Sequence, residues 1–129
     1  MPKAKPLISI VDDDEPMREA VKGLMKSWGY RVEAAASAEE FLRSPHVHST
    51  SCLIADVQMP GMTGLDLHRH LSASGKVIPT VLITAYPDDG VRERALAAGV
   101  SGYLSKPFDE NDLLACIRSA LTNAGSGGR

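Results

Sequence analysis

Residues 7–15 read LISIVDDDE: Leu7, Ile8, Ser9, Ile10 and Val11 form a nearly unbroken apolar run, and Asp12, Asp13, Asp14 and Glu15 follow at once. A short apolar run cut off by polar residues is how a strand buried on both faces reads, and such strands belong to parallel sheets. The same pattern returns at 52–55 (CLIA), followed by Asp56, and at 81–84 (VLIT). Weaker runs at 31–35 and 102–105 complete a set of five.

Helical periodicity fills the gaps. Met17, Val21, Leu24 and Trp28 recur at i, i+4, i+7 and i+11, with Gly29 placed as a stop. Ser37 and Glu40 have capping-box spacing before Phe41 and Leu42. Leu65, Leu67 and Leu71 mark a short helix after Gly64. Val91, Ala95 and Ala98 mark another, closed by Gly99, and the turn-rich stretch 87–90 (PDDG) predicts either a late start for it or a mobile one. Leu113, Leu114, Ile117 and Leu121 mark the last, with Asp109 as its N-cap. Strands alternating with single helices imply right-handed crossovers and a sheet covered on both faces. The expected fold is therefore α/β: a five-stranded parallel sheet, doubly wound and flavodoxin-like, (βα)5, with strand order 2-1-3-4-5. Residues 1–122 read as one domain and 123–129 (NAGSGGR) as a linker-like tail.

Composition narrows the function. The chain has 129 residues, which suits one domain, and 43% hydrophobic with 23% charged residues argues against wholesale disorder. A net charge of −2 gives no footprint for direct nucleic-acid binding. Apolar runs stay far below the roughly 20 residues that span a bilayer. The basic N-terminus leads into no apolar stretch resembling a secretory signal, so the expected compartment is the cytoplasm. Cys52 and Cys116 stand in apolar surroundings and read as core thiols, without a disulfide framework. His68 and His70, two apart on a helix, point away from each other, and His46 and His48 fall in a loop rich in Ser and Pro; together they read as no metal site.

In open parallel sheets ligands bind beyond the carboxyl ends of the strands, where the strand order reverses, here between strands 1 and 3. Asp12 and Asp13 follow strand 1, Asp56 follows strand 3, Thr84 ends strand 4, and Lys106 with Pro107 follows strand 5. Asp14 and Glu15 open the first helix and suit its dipole. Three carboxylates gathered at one point repel, and either a hard divalent cation with oxygen ligands or the Lys106 ammonium would offset them. A cation beside a carboxylate also favours a phosphoryl group, and a carboxylate can itself be the nucleophile that forms an aspartyl phosphate. Thr84 could donate a hydrogen bond to a phosphoryl oxygen.

The stretches ISIVDDDEPMR, LIADVQMPGMTGLDL, VLITAY and GYLSKPF, in this order, resemble the receiver (CheY-like) domains of bacterial two-component response regulators, from about Leu7 to Leu121. The wording VDDDEP, SAEEFL and TAYPD is most similar to the FixJ-type subgroup, whose members usually carry a DNA-binding helix-turn-helix after the receiver. The resemblance implies Asp56 as phosphoacceptor and Mg²⁺ (or Mn²⁺) held by Asp13 directly, by Asp12 partly through water, by Asp56 and by the backbone carbonyl of Gln58. It implies Thr84 and Lys106 as phosphoryl-binding groups and Tyr103 as an aromatic switch that turns inward as Thr84 moves. It also implies a cis Lys106–Pro107 peptide, a loop shaped by Pro60, Gly61 and Gly64, and an open approach past Ala85. Gln58 and Tyr86 occupy the positions that tune dephosphorylation, and bulky Tyr86 would shield the site from water or pack over its loop. The implied partner is a sensor histidine kinase, docking near Pro16, Met17 and Phe108. The implied output is a change in the face made by helix 4, strand 5 and helix 5, which could also support a homodimer. The chain would be a switch with weak autophosphorylation and autodephosphorylation chemistry, not a turnover enzyme. It would act in transcription regulation through an output domain absent from these residues, or else as a stand-alone regulator acting by protein contacts.

Two other chemistries fit less well. A Mg²⁺-dependent phosphohydrolase of the haloacid dehalogenase kind needs D-x-D-x-T/V after strand 1, and Asp12–Asp13–Asp14–Glu15–Pro16 lacks the Thr or Val. A flavodoxin-like nucleotide or FMN binder needs a Gly- or Ser/Thr-rich loop there, and an acidic cluster stands in its place.

Overall fold

The computed structural model describes residues 5–127, with side-chain surroundings through residue 122. Its elements follow the alternating order: β1 (Leu7–Val11), α1 (Glu15–Ser27), β2 (Arg31–Ala35), α2 (Ala38–Arg43), a short 3-10 helix (Pro45–Ser49), β3 (Cys52–Asp56), α3 (Gly64–Ala73), β4 (Thr80–Thr84), α4 (Asp89–Ala97), β5 (Gly102–Ser105) and α5 (Glu110–Gly127). All strand pairs are parallel and the order is β2-β1-β3-β4-β5, as the pattern predicts.

Burial explains which runs read clearly. Every residue of the three central strands β1, β3 and β4 is buried, whereas β2 and β5 form the edges and keep exposed or half-buried positions. Alternate residues of the central strands feed two cores. Val11, Leu53, Ala55 and Leu82 join one side with Phe41 of α2 and Leu67 and Leu71 of α3. Ile8, Ile10, Ile54, Val81 and Ile83 join the other with Val21 and Met25 of α1 and Leu113 and Ile117 of α5. Trp28, Met17 and Phe108 pack against this second core. Fully burying a side chain of this size contributes about 1.5–3 kcal/mol, so these two layers hold the strand ends in place.

Several local expectations change. The fourth helix does not start late: Asp88, in the turn-rich stretch, accepts from the Val91 N–H at 3.0 Å and caps a helix that begins at Asp89. The loop holding His46 and His48 is a 3-10 helix, because Ser44 caps it by accepting from the His46 N–H. The Ser37–Glu40 spacing yields half a box: Ser37 Oγ accepts from the Glu40 N–H at 3.0 Å, but the Glu40 carboxylate accepts from Ala36 at 3.4 Å, one residue before the cap. The complete box lies at Thr63 and Asp66, opening α3. Asp109 accepts from the Asn111 N–H at 2.7 Å ahead of α5. That helix continues to Gly127, into the stretch whose composition reads as linker; residues 128–129, and residues 1–4 of the basic N-terminus, lie outside the described residues.

Candidate active site at the carboxyl edge of the sheet

Parallel pairing brings four strand ends to one edge. Val11 sits opposite Ala55, Asp56 opposite Ile83, and Thr84 opposite Ser105. Asp12, Asp56, Thr84 and Lys106 therefore emerge side by side, and the Lys106 N–H still donates to the Thr84 carbonyl at 2.7 Å. The turn after β1 is braced from within. Asp12 Oδ1 accepts from the Asp14 N–H at 2.9 Å, and Arg18 Nη1 donates to the Asp12 carbonyl at 2.8 Å. Asp14 occupies the N-cap position of α1 without a side-chain cap bond, and Glu15 lies in the first turn.

The carboxylates of Asp12, Asp13 and Asp56 present oxygens that all lie within 4.8 Å of one another. Asp12 and Asp56 are buried and Asp13 is exposed. Lys106 Nζ reaches Asp56 Oδ2 at 3.3 Å and Asp12 Oδ2 at 3.5 Å. Asp56 Oδ1 accepts from the Gln58 N–H at 3.1 Å. Burial, and then the Asp12 charge, push the Asp56 carboxyl above its ordinary value, and Lys106 opposes them only in part. Burial works against the Lys106 ammonium, yet Asp12 and Asp56 outweigh it and hold its pKa above the usual lysine value.

One ammonium among three carboxylates leaves two negative charges uncompensated. An all-oxygen donor set with that charge, open through exposed Asp13, fits a hard divalent cation that keeps some of its water. Among the described residues this is the one acidic, His or Cys cluster of that kind.

Thr84 is fully buried, and its hydroxyl is engaged twice: Oγ1 donates to Gln58 Oε1 at 2.6 Å and accepts from the Tyr86 N–H at 3.0 Å. Tyr103 is half-buried against the first core, and its hydroxyl accepts from the N–H of the α4 cap, Asp88, at 3.4 Å. Pro87, Asp88, Arg92 and Tyr103 line a cleft of about 270 Å³ at this edge of α4 and β5. The Lys106–Pro107 bond is cis. Ala85 and Pro60 are exposed. Tyr86 is 73% exposed, and its backbone N–H is what engages Thr84. Gly61 has φ 77°, and Gly64 lies so close to Asp56 that a Cβ there would sit 2.5 Å from the Asp56 carbonyl oxygen. Met17 and Phe108 line a separate cleft of about 280 Å³ between α1 and the start of α5, with Pro16 exposed beside it on α1.

Residue-by-residue reading does not single out Glu39. Its Oε2 accepts from the Met62 N–H at 3.2 Å and so ties α2 to the loop after Asp56. The partners are 23 positions apart, and no local pattern signals the contact. His68 is buried, with Nδ1 at 2.9 Å from Thr80 Oγ1 and Nε2 donating to the Ala98 carbonyl at 3.0 Å, while His70 is exposed. Cys52 is buried and its thiol is pushed up to about 12, mainly by burial; Cys116 is half-buried and also raised by burial.

Residues 8–118 match the family described as "Response regulator receiver domain". Response regulator protein TmoT of Ectopseudomonas mendocina is 43% identical over 115 residues, covering 89% of this chain and 52% of TmoT. Transcriptional regulatory protein FixJ of Azorhizobium caulinodans is 33% identical over 129 residues, covering 100% of this chain and 61% of FixJ. The solved structure of response regulator StyR superposes with a TM-score of 0.87 at 39% identity, over 95% of this chain and 62% of that one. The chain spans about half the length of curated relatives such as TmoT.

Proposed function

The chain belongs to the response regulator receiver domain family, of FixJ type, and from that premise we propose that Asp56 is the phosphoacceptor of a phosphorylation-dependent switch in two-component signalling. One observation carries this reading: the Asp12, Asp13 and Asp56 carboxylates meet within 4.8 Å, with Lys106 bridging Asp12 and Asp56.

An Asp56 carboxylate oxygen attacks the phosphorus of a phosphohistidine on a sensor kinase. The P–O bond forms as the P–N bond breaks, and the imidazole keeps the electron pair and takes a proton. Lys106, already 3.3 Å from Asp56, meets the phosphoryl oxygens with its charge. Thr84 donates its hydroxyl to one of them after leaving its present partner. Water attack on phosphorus later releases inorganic phosphate and restores the carboxylate. Asp12, Asp13, Asp56 and the Gln58 carbonyl are the groups that would hold Mg²⁺ or Mn²⁺, which when bound offsets phosphoryl negative charge. Small phosphodonors would serve in place of the kinase, giving the weak autophosphorylation of a switch.

Movement of Thr84 vacates space toward which Tyr103 turns. That turn breaks the Tyr103–Asp88 contact and shifts the face made by α4, β5 and α5. The kinase docks over the Met17–Phe108 cleft beside Pro16. The shifted face serves homodimerisation or an output segment beyond these residues, attached through 123–129 and acting in transcription regulation.

Incubating the chain with Mg²⁺ and acetyl phosphate, then reading the intact mass, tests the assignment. The native chain gains one phosphoryl group and Asp56→Asn gains none. Equal gain by both would remove Asp56 from the role.

A further inference from the structure

The Thr84 hydroxyl has one proton, and the structure shows where it goes. Oγ1 donates to Gln58 Oε1 at 2.6 Å, a short contact for a neutral pair, while one of its two lone pairs accepts from the Tyr86 N–H at 3.0 Å. The side chain is fully buried, so it has little access to water as a substitute acceptor. Gln58 is also tied to the acceptor residue, its N–H donating to Asp56 Oδ1 at 3.1 Å. One residue therefore holds Asp56 through its backbone and Thr84 through its side chain.

We propose that Gln58 is a latch: its amide oxygen competes with the phosphoryl group for the only proton of Thr84, and so sets how far phosphorylation shifts the switch. The proposal rests on Asp56 being the phosphoacceptor. Gln58 is a positioning residue here, acting through Thr84. A Thr84 hydroxyl given to Gln58 cannot be given to a phosphoryl oxygen, so every activated molecule has broken this bond. Its loss biases the equilibrium toward activation, and an ordinary net hydrogen bond corresponds to about a two- to tenfold shift. Gln58 lies at the surface, so the change leaves the core alone.

Beryllofluoride with Mg²⁺, a phosphoryl mimic that does not hydrolyse, tests the latch by calorimetric titration of four chains: native, Gln58→Met, Thr84→Val and the double variant. Methionine keeps the length of glutamine and lacks the amide acceptor. The expected result is binding about two- to tenfold tighter for Gln58→Met than for the native chain, with no difference between Thr84→Val and the double variant. A readout without metal or mimic accompanies it. In the free Gln58→Met chain the Thr84 methyl resonance moves toward its beryllofluoride-bound position. Equal or weaker binding by Gln58→Met overturns the latch. So does a tightening that persists in the Thr84→Val background, since Gln58 would then act on something other than the hydroxyl. Absence of beryllofluoride binding by the native chain overturns the Asp56 assignment itself, and the latch with it.

Discussion

A single ammonium, that of Lys106, faces Asp12 and Asp56 at 3.5 and 3.3 Å, and the three side chains are almost fully withdrawn from water. The two partners respond in different pH ranges. Lys106 binds its proton more tightly in the folded protein. Its contribution to stability is complete below the ordinary lysine value of 10.5 and is lost as pH rises through the higher folded value. Asp56 also binds its proton more tightly when folded, but for a carboxylate that sign means a cost. Stability falls as pH rises from 3.8, the ordinary value, through the raised one. Asp56→Asn removes that charge. Without metal it should unfold at higher urea than the native chain at neutral pH, by about 0.5–2 kcal/mol. The gap should close as pH drops to the ordinary carboxylate range. Urea titrations in the presence of a chelator across that range check it, and a gap independent of pH would assign the gain to packing.

At the level of elements, the start of α3 leans on the end of β3. A Cβ at Gly64 would meet the Asp56 carbonyl oxygen at 2.5 Å and Leu82 at 3.0 Å, whereas at Gly23, mid-helix in α1, it would meet nothing within 4 Å. Gly64→Ala should therefore destabilise by about 1–3 kcal/mol, since backbone has to move, while Gly23→Ala should stabilise by about 0.5–1 kcal/mol. Thermal melts of the two variants give opposite signs if the approach is as close as described. The same contrast between local and distant contact governs what the sequence discloses. Strands β1, β3 and β4 were legible because burial on both faces leaves unbroken apolar runs, and Asp12, Asp56, Thr84 and Lys106 were legible because topology alone brings strand ends together. The start of α4 is ambiguous in the sequence because Asp88 suits a turn and a cap equally well, and only the Val91 N–H decides between them. Glu39 and the side-chain role of Gln58 were invisible, because their partners Met62 and Thr84 lie 23 and 26 positions away and neither bond has a periodic signature.

For the molecule as a whole, the acidic edge exists only when the sheet is complete. A divalent cation that binds there binds the folded state and not the unfolded chain, so it should add to global stability. At a hundredfold excess over its dissociation constant Mg²⁺ should add about 2.7 kcal/mol, and Asp13→Asn should abolish most of that gain while leaving the metal-free stability of an exposed position nearly unchanged. Denaturation with and without Mg²⁺ decides it, and an equal gain in Asp13→Asn would place the cation elsewhere. The Lys106–Asp12 bond has a further consequence. It joins residues 94 positions apart, so the last strand must be docked before the first loop acquires its counter-charge. No fragment ending before β5 can assemble the pair, and a nascent chain carries three unneutralised acids until β5 has been made and docked. The acidic edge thus gains its counter-charge late and in one step, and the ion pair acts as a proofreading mark that the last strand has joined the sheet.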